Sequence, residues 1–190
     1  MEDWVQRALA RWPNVPALYG WLRLDRRGRW LIRDEPISRP QIIDTINRNY
    51  AADARGCWYF QNGPQRGYMA LDVAPFVLHV ADDGERLLTH NALPVERPAR
   101  AYLDDEGSLL LATEHGAAHL ADTELEWALQ RISGAAATLT DDELSAALEQ
   151  PSRSATTLKL RYAGTQIPLW RLDRADTEVT LGFVRVPAPG

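Results

Sequence analysis

The 190-residue chain has one cysteine, one lysine, two methionines and three phenylalanines. Cys57 alone excludes an intrachain disulfide and suits a reducing compartment, so a cytoplasmic location is expected. No window holds 18 consecutive apolar residues, which rules out a conventional membrane-spanning helix. The start, Met1-Glu2-Asp3-Trp4, lacks the basic residues and apolar stretch of a secretory signal. Positive charge is short overall: 21 basic against 26 acidic residues leave a net charge of −5. Such a chain repels phosphate backbones, which disfavours a general nucleic-acid role. Also missing are a Gly-x-Ser-x-Gly elbow, a Gly-rich phosphate loop and a Gly-x-Gly-x-x-Gly fingerprint.

What is present is self-similarity. Gly63-Pro64-Gln65-Arg66-Gly67-Tyr68-Met69-Ala70-Leu71-Asp72 recurs 101 positions later as Gly164-Thr165-Gln166-Ile167-Pro168-Leu169-Trp170-Arg171-Leu172-Asp173. Leu24-Asp25-Arg26-Arg27-Gly28 recurs at an offset of 79 as Leu103-Asp104-Asp105-Glu106-Gly107. Two echoes in the same order predict a duplicated unit.

Glu2 to Trp12 puts Trp4, Val5, Ala8, Leu9 and Trp12 on one stripe, the pattern of an amphipathic helix closed by Pro13 and Pro16. Alternating segments around Asp25–Gly28, Asn62–Pro64 and Asp82–Gly84 predict three hairpins. Ser38 with Gln41 suggests a capping box for a helix burying Ile42, Ile43, Ile46 and Tyr50. Past Pro94 and Pro98, strands at 100–103 and 108–112 lead to a helix capped by Thr123 and Glu126. An extra helix follows near 140–149, then strands at 156–161, 166–172 and 178–186.

The expected division is an N-terminal helix at 1–13, a first repeat at 14–95 and a second at 96–190. The expected class is α+β: two pseudo-repeats, each an antiparallel sheet of a hairpin, a helix and two or three strands.

Gln61-Asn62-Gly63-Pro64-Gln65-Arg66 is the densest polar run, able to present amides and a guanidinium to a ligand. Gln61, Asn62 and Arg66 are therefore candidate ligand residues, and His90 joins them if a cleft forms between the copies. Arg29 is a fifth candidate, taken from the basic hairpin Arg23, Arg26, Arg27, Arg29, Arg33, which could grip an anion. His115 and His119, next to Glu114, have the spacing of a helical metal pair but lack a third ligand, so no metal or cofactor is expected. Cys57 lies among Trp58, Tyr59 and Phe60, a setting for a small buried hydrophobe rather than a reactive thiolate.

The run Gly28-Arg29-Trp30, Pro36-Ile37-Ser38-Arg39, Asp72-Val73-Ala74-Pro75-Phe76-Val77 and Thr89-His90-Asn91 resembles a group of uncharacterised proteobacterial proteins known only as domains of unknown function. The resemblance covers about residues 20 to 130. It implies an α+β fold with repeated motifs and a role in ligand sensing or signalling, and it supplies no catalytic residues. The expectation is a non-catalytic cytoplasmic module that binds a small polar molecule or a protein partner, with no nucleic acid and no membrane. Trp4 and Trp12 leave room for a homodimer. The rival is a hydrolase-like enzyme using His115 or His119.

Overall fold

The computed structural model describes residues 17–135 and 139–189. Ahead of them it describes Asp3, Arg7, Ala10 and Arg11, all helical and exposed. The rest of the expected N-terminal helix, Trp4 and Trp12 included, lies outside the described residues. The fold is mixed α+β, with two large sheets and four helices among the described residues. Two compact units form: Met1–Pro75 with Phe183–Gly190, and Phe76–Gly182. The second is thus an insertion in the first. These units differ from the division at residue 95, because Phe76–Val95 joins the second sheet.

The first unit runs β1 (Leu18–Leu24), β2 (Trp30–Ile32), β3 (Glu35–Pro36), α1 (Pro40–Arg48), β4 (Tyr50–Ala52), β5 (Trp58–Asn62) and β6 (Gln65–Leu71). Its strand order is β3-β2-β1-β6-β5-β4, with β1 and β6 parallel at the centre. The entirely antiparallel sheet expected from the sequence is therefore corrected. Since β3 and β4 lie at opposite edges and point the same way, their connection must cross a sheet face, and α1 provides it. That crossing buries Ile46. The opposite face carries Cys57, Tyr59 and Tyr68, with Tyr19 stacked on Tyr68 at 4.6 Å. Val184 packs there too, and the Leu71 N–H donates to the Arg185 carbonyl at 2.8 Å.

The second unit runs β7 (Phe76–Val80), β8 (Leu87–Thr89), β9 (Pro94–Val95), β10 (Arg100–Leu103), β11 (Leu109–Thr113), β12 (Gly116–Leu120), α2 (Leu125–Leu129), β13 (Ile132–Ser133), α3 (Asp141–Leu148), β14 (Ala155–Tyr162), β15 (Thr165–Arg171) and α4 (Thr177–Leu181). Its sheet is ordered β13-β14-β15-β10-β11-β12-β7-β8-β9. Six of these strands repeat the order of the first sheet, and β10 and β15 are again the central parallel pair.

The turns are chemically alike as well. Asp25 Oδ1 accepts the N–H groups of Arg27 and Arg29 at 3.0 and 2.8 Å, and Asp104 Oδ1 accepts those of Glu106 and Ser108 at 2.9 and 2.6 Å. Gly28 and Gly107 supply the positive φ each turn needs, +79° and +80°.

Other local expectations are revised. Neither Ser38 nor Thr123 caps a helix: α1 starts at Pro40 after Arg39, and a 3-10 turn at Asp122–Glu124 leads into α2. Thr140 and Glu143 do form a reciprocal capping box on α3. Residues 178–186 are not a strand. A 3-10 turn and α4 end there at Gly182, whose φ of +71° closes the helix. The stretch from Gly116 to Leu120 is the largely buried strand β12 rather than a helix.

Candidate functional site

Strand alternation decides which side chains of the first unit share a face. Leu22 pairs across to Ile32, Phe60 to Gly67, and Gly67 to Leu18. These positions face α1, whose Ile42 and Ile46 form the opposite wall together with Ile37. Between them lies a groove of about 190 Å³. The crossing helix covers it only in part: Leu18, Trp21, Ile32 and Ile42 remain 37%, 43%, 45% and 41% exposed. The Arg33 guanidinium sits 3.8 Å above the Trp21 ring and holds that indole at the edge. Gly67 forms part of the floor, because a Cβ there would come within 2.5 Å of Leu22 Cδ1. Asn62 and Gln65, paired at the tip of the β5–β6 hairpin, give the mouth its two polar side chains.

The five candidate residues are placed differently. Asn62 shares the face of Phe60 and reaches the groove mouth. Gln61 points the other way and is fully buried, its Nε2 donating to the carbonyls of Gly63 at 2.8 Å and Gln65 at 3.2 Å. Gln61 Oε1 accepts from Arg66 Nε at 3.2 Å, and the Arg66 guanidinium lies 4.6 Å over the Tyr59 ring. These two side chains thus brace the hairpin from behind. Arg29 pairs with Asp25 at 2.7 Å in the β1–β2 turn. The Asp25 carboxyl is held below the usual range: burial works to raise it, and the hydrogen bonds and charge of Arg29, with the Arg27 N–H, outweigh that.

His90 belongs to the second unit, where its Nδ1 accepts from the Val77 N–H at 3.3 Å and its ring lies 5.8 Å from Phe76. Burial, reinforced by His79 and His119, lowers its pKa to about 3.

The remaining polar motifs serve the fold. Arg23 bridges Asp34 and Asp72 at 3.0 and 3.3 Å. His115 lies in the turn before β12, with Nε2 2.8 Å from the Pro94 carbonyl, and His119 is buried within that strand. On an extended strand four residues span about 13 Å, so the two imidazoles do not form the helical pair their spacing allows. Among the described residues no three His, Cys, Asp or Glu side chains come together as a metal site. Cys57 is buried, and burial, with the nearby Asp53 carboxylate, raises its thiol pKa.

Sequence reasoning missed Leu18, Trp21, Ile32, Ile42, Gln65 and Gly67. The available signal was an excess of apolar residues. β1 is apolar at Leu18, Tyr19, Trp21, Leu22 and Leu24 without strict alternation, and α1 carries three isoleucines of which only Ile46 is buried.

A family model described as "Protein of unknown function (DUF2946)" matches residues 1–188. The chain is similar to a solved DUF1285 family protein from Silicibacter pomeroyi DSS-3, at 16% identity and a TM-score of 0.53. That match covers 83% of this chain and 84% of the other. A solved DUF1285 family protein from Shewanella baltica OS155 aligns at 13% identity and a TM-score of 0.40, over 56% of this chain and 87% of that one. The first likeness shows a shared fold. No curated protein matches the chain. The motif resemblance to a bacterial family of unknown function therefore holds. No helix among the described residues is long and apolar enough to cross a membrane.

Proposed function

The chain belongs to the DUF2944 family, and on that premise we propose that it is a non-catalytic, cytoplasmic binding module of regulatory type whose binding surface is the groove of the first unit. One observation carries this: four large apolar side chains stay exposed around a single groove whose polar side chains are confined to Asn62 and Gln65 at its mouth. A small polar ligand would leave those walls wet. The lining suits the apolar face of a protein partner's helix, with the two amides fixing register at the rim. We further read the two units as copies of one ancestral design, on the strength of the shared strand order, the parallel closure and the matching Asp turns.

The test uses 8-anilinonaphthalene-1-sulfonate as an apolar probe of the full chain. Its emission should rise on binding, and Ile42→Asp should weaken its affinity about tenfold, the equivalent of one lost apolar anchor. Ile42 is half exposed, so the fold should survive the change. Equal probe affinity in the two proteins would place the apolar site elsewhere and refute the proposal.

A further inference from the structure

We infer that the second unit carries a binding site for a phosphate group, built around Arg131 and Arg161. The inference is independent of the groove and adds a small-molecule site to the protein.

Strands β13 and β14 pair Ile132 with Leu160. One step further, Arg131 stands opposite Arg161, and the Arg161 N–H donates to the Arg131 carbonyl at 2.8 Å. Directly opposed positions hold their Cβ atoms about 4.5–5.5 Å apart, and like charges there destabilise a sheet. The first unit shows that the scaffold does not require them. Its equivalent strands pair Tyr50 with Phe60, which sets Asn49 opposite Gln61, and the Gln61 N–H donates to the Asn49 carbonyl at 3.0 Å. These two neutral amides are 1% and 0% exposed. Asn49 Nδ2 donates to the Thr45 carbonyl at 3.0 Å, and Gln61 is held by the carbonyls of Gly63 and Gln65. The same place in the second unit holds two cations that line an open pocket of about 120 Å³.

Arg131 is fixed before any ligand arrives. Its guanidinium lies 4.5 Å over the Trp127 ring, and its Nη2 donates to the Gly84 carbonyl at 3.0 Å. Trp127 Nε1 donates to the same carbonyl at 2.9 Å, and its ring meets Tyr162 edge-on at 6.1 Å. Tyr162 forms another wall of the pocket, its hydroxyl accepting from the Leu87 N–H at 3.0 Å and donating to the Val95 carbonyl at 2.6 Å. Arg161 is exposed, and its guanidinium makes no hydrogen bond or ion pair among the described residues.

One carboxylate already reaches this pair: Glu85 Oε1 accepts from Arg131 Nη2 at 2.9 Å. That side chain is 77% exposed, so its ion pair is weak and an incoming anion can take its place. Glu85 thus marks where an anion's oxygens sit. A single carboxylate leaves one guanidinium uncompensated, whereas a phosphate dianion matches both. The pocket suits one such group and is far below the roughly 300–1,000 Å³ of drug-sized sites. An adjoining hollow of about 290 Å³ shares Glu85, Tyr162, Ala163 and Gly164, and it leaves room for the organic part of a phosphate monoester.

Calorimetric titration of the full chain with inorganic phosphate and with phenyl phosphate, at about pH 8 where both are largely dianions, tests the site. Saturable binding is expected. Arg161→Gln, at an exposed position, should leave the melting temperature unchanged and weaken binding about tenfold, the loss of one charge-assisted contact. Glu85→Gln should tighten it about threefold by removing the competing carboxylate. Acetate, a monoanion, should bind about tenfold more weakly than phosphate. Absence of saturable phosphate binding, full affinity in Arg161→Gln, weaker binding in Glu85→Gln, or acetate binding as tight as phosphate would overturn the proposal. Tighter binding of phenyl phosphate supports the site as one for a phosphate monoester, and tighter binding of the inorganic ion supports it as one for free phosphate.

Discussion

Removing one oxygen from Tyr162 tests the account of the second unit. Tyr162→Phe keeps the ring and its edge-on contact with Trp127, but strips the partner from two buried backbone groups, the Leu87 N–H and the Val95 carbonyl. Each buried group left unsatisfied costs about 1–3 kcal/mol, and part of this is recovered by local relaxation, so a loss of about 3 kcal/mol is expected. For a chain of this size that is a fall of about 6–12 °C in melting temperature, measurable by scanning calorimetry. An alkaline signature should accompany it. Burial raises the Tyr162 phenol above its ordinary value. The stability it contributes is therefore complete below the unfolded phenol's pKa near 10 and is lost as pH rises through the higher folded value. Tyr162→Phe should remove that share of the alkaline loss. A variant within about 0.5 kcal/mol of wild type would refute the reasoning, because surface changes alone do as little.

Two further substitutions probe other elements. With its folded pKa lowered to about 3, His90 resists the proton that the unfolded chain accepts near 6.5. Stability should fall as pH drops from about 6.5 towards 3, by about 2 kcal/mol at pH 5. His90→Gln should flatten that slope in denaturant titrations, and an unchanged slope would assign the acid loss to other groups. Gly67→Ala drives a methyl against Leu22 Cδ1, the mobile end of a side chain. It should cost about 1 kcal/mol, as modest overpacking does, and should weaken probe binding in the groove by fluorescence titration. Undiminished binding would show that Leu22 turns away from the groove rather than into it.

The hairpins were legible in the sequence because their turns are encoded by single side chains. Asp25 and Asp104 bind the turn N–H groups, and Gly28 and Gly107 supply positive φ, so the pattern fixes the loops directly. The sequence echo and the hairpin register differ by one residue. Matching Gly63 to Gly164 gives an offset of 101, whereas Asn62–Gln65 and Tyr162–Thr165 close the two hairpins at an offset of 100. The loops solve the same problem differently. In Gly63-Pro64 the first residue takes positive φ, +57°, and Pro64 must take a negative one. In Ala163-Gly164 both are positive, +48° and +73°. The shared glycine reflects turn chemistry at adjacent positions. The parallel pairing of β1 with β6 left no local trace, since it depends on segments about 45 residues apart. The groove was hidden for a related reason: polar residues announce a site in a sequence, and this one is walled mainly by apolar side chains from separate elements, β1, β2, α1 and β5.

The insertion of the second unit into the first has a consequence for how the protein is made. Cys57 pairs with Val184, and Leu71 at the end of β6 bonds Arg185, so the first unit's sheet is finished only by residues made after the whole inserted unit. The inserted unit, complete at Gly182, can close while the face bearing Cys57, Tyr59 and Tyr68 still lacks its covering strap. A nascent chain stalled before Phe183 would therefore expose an apolar surface for a chaperone, and deleting residues 183–189 should injure the unit that precedes the insertion in the chain.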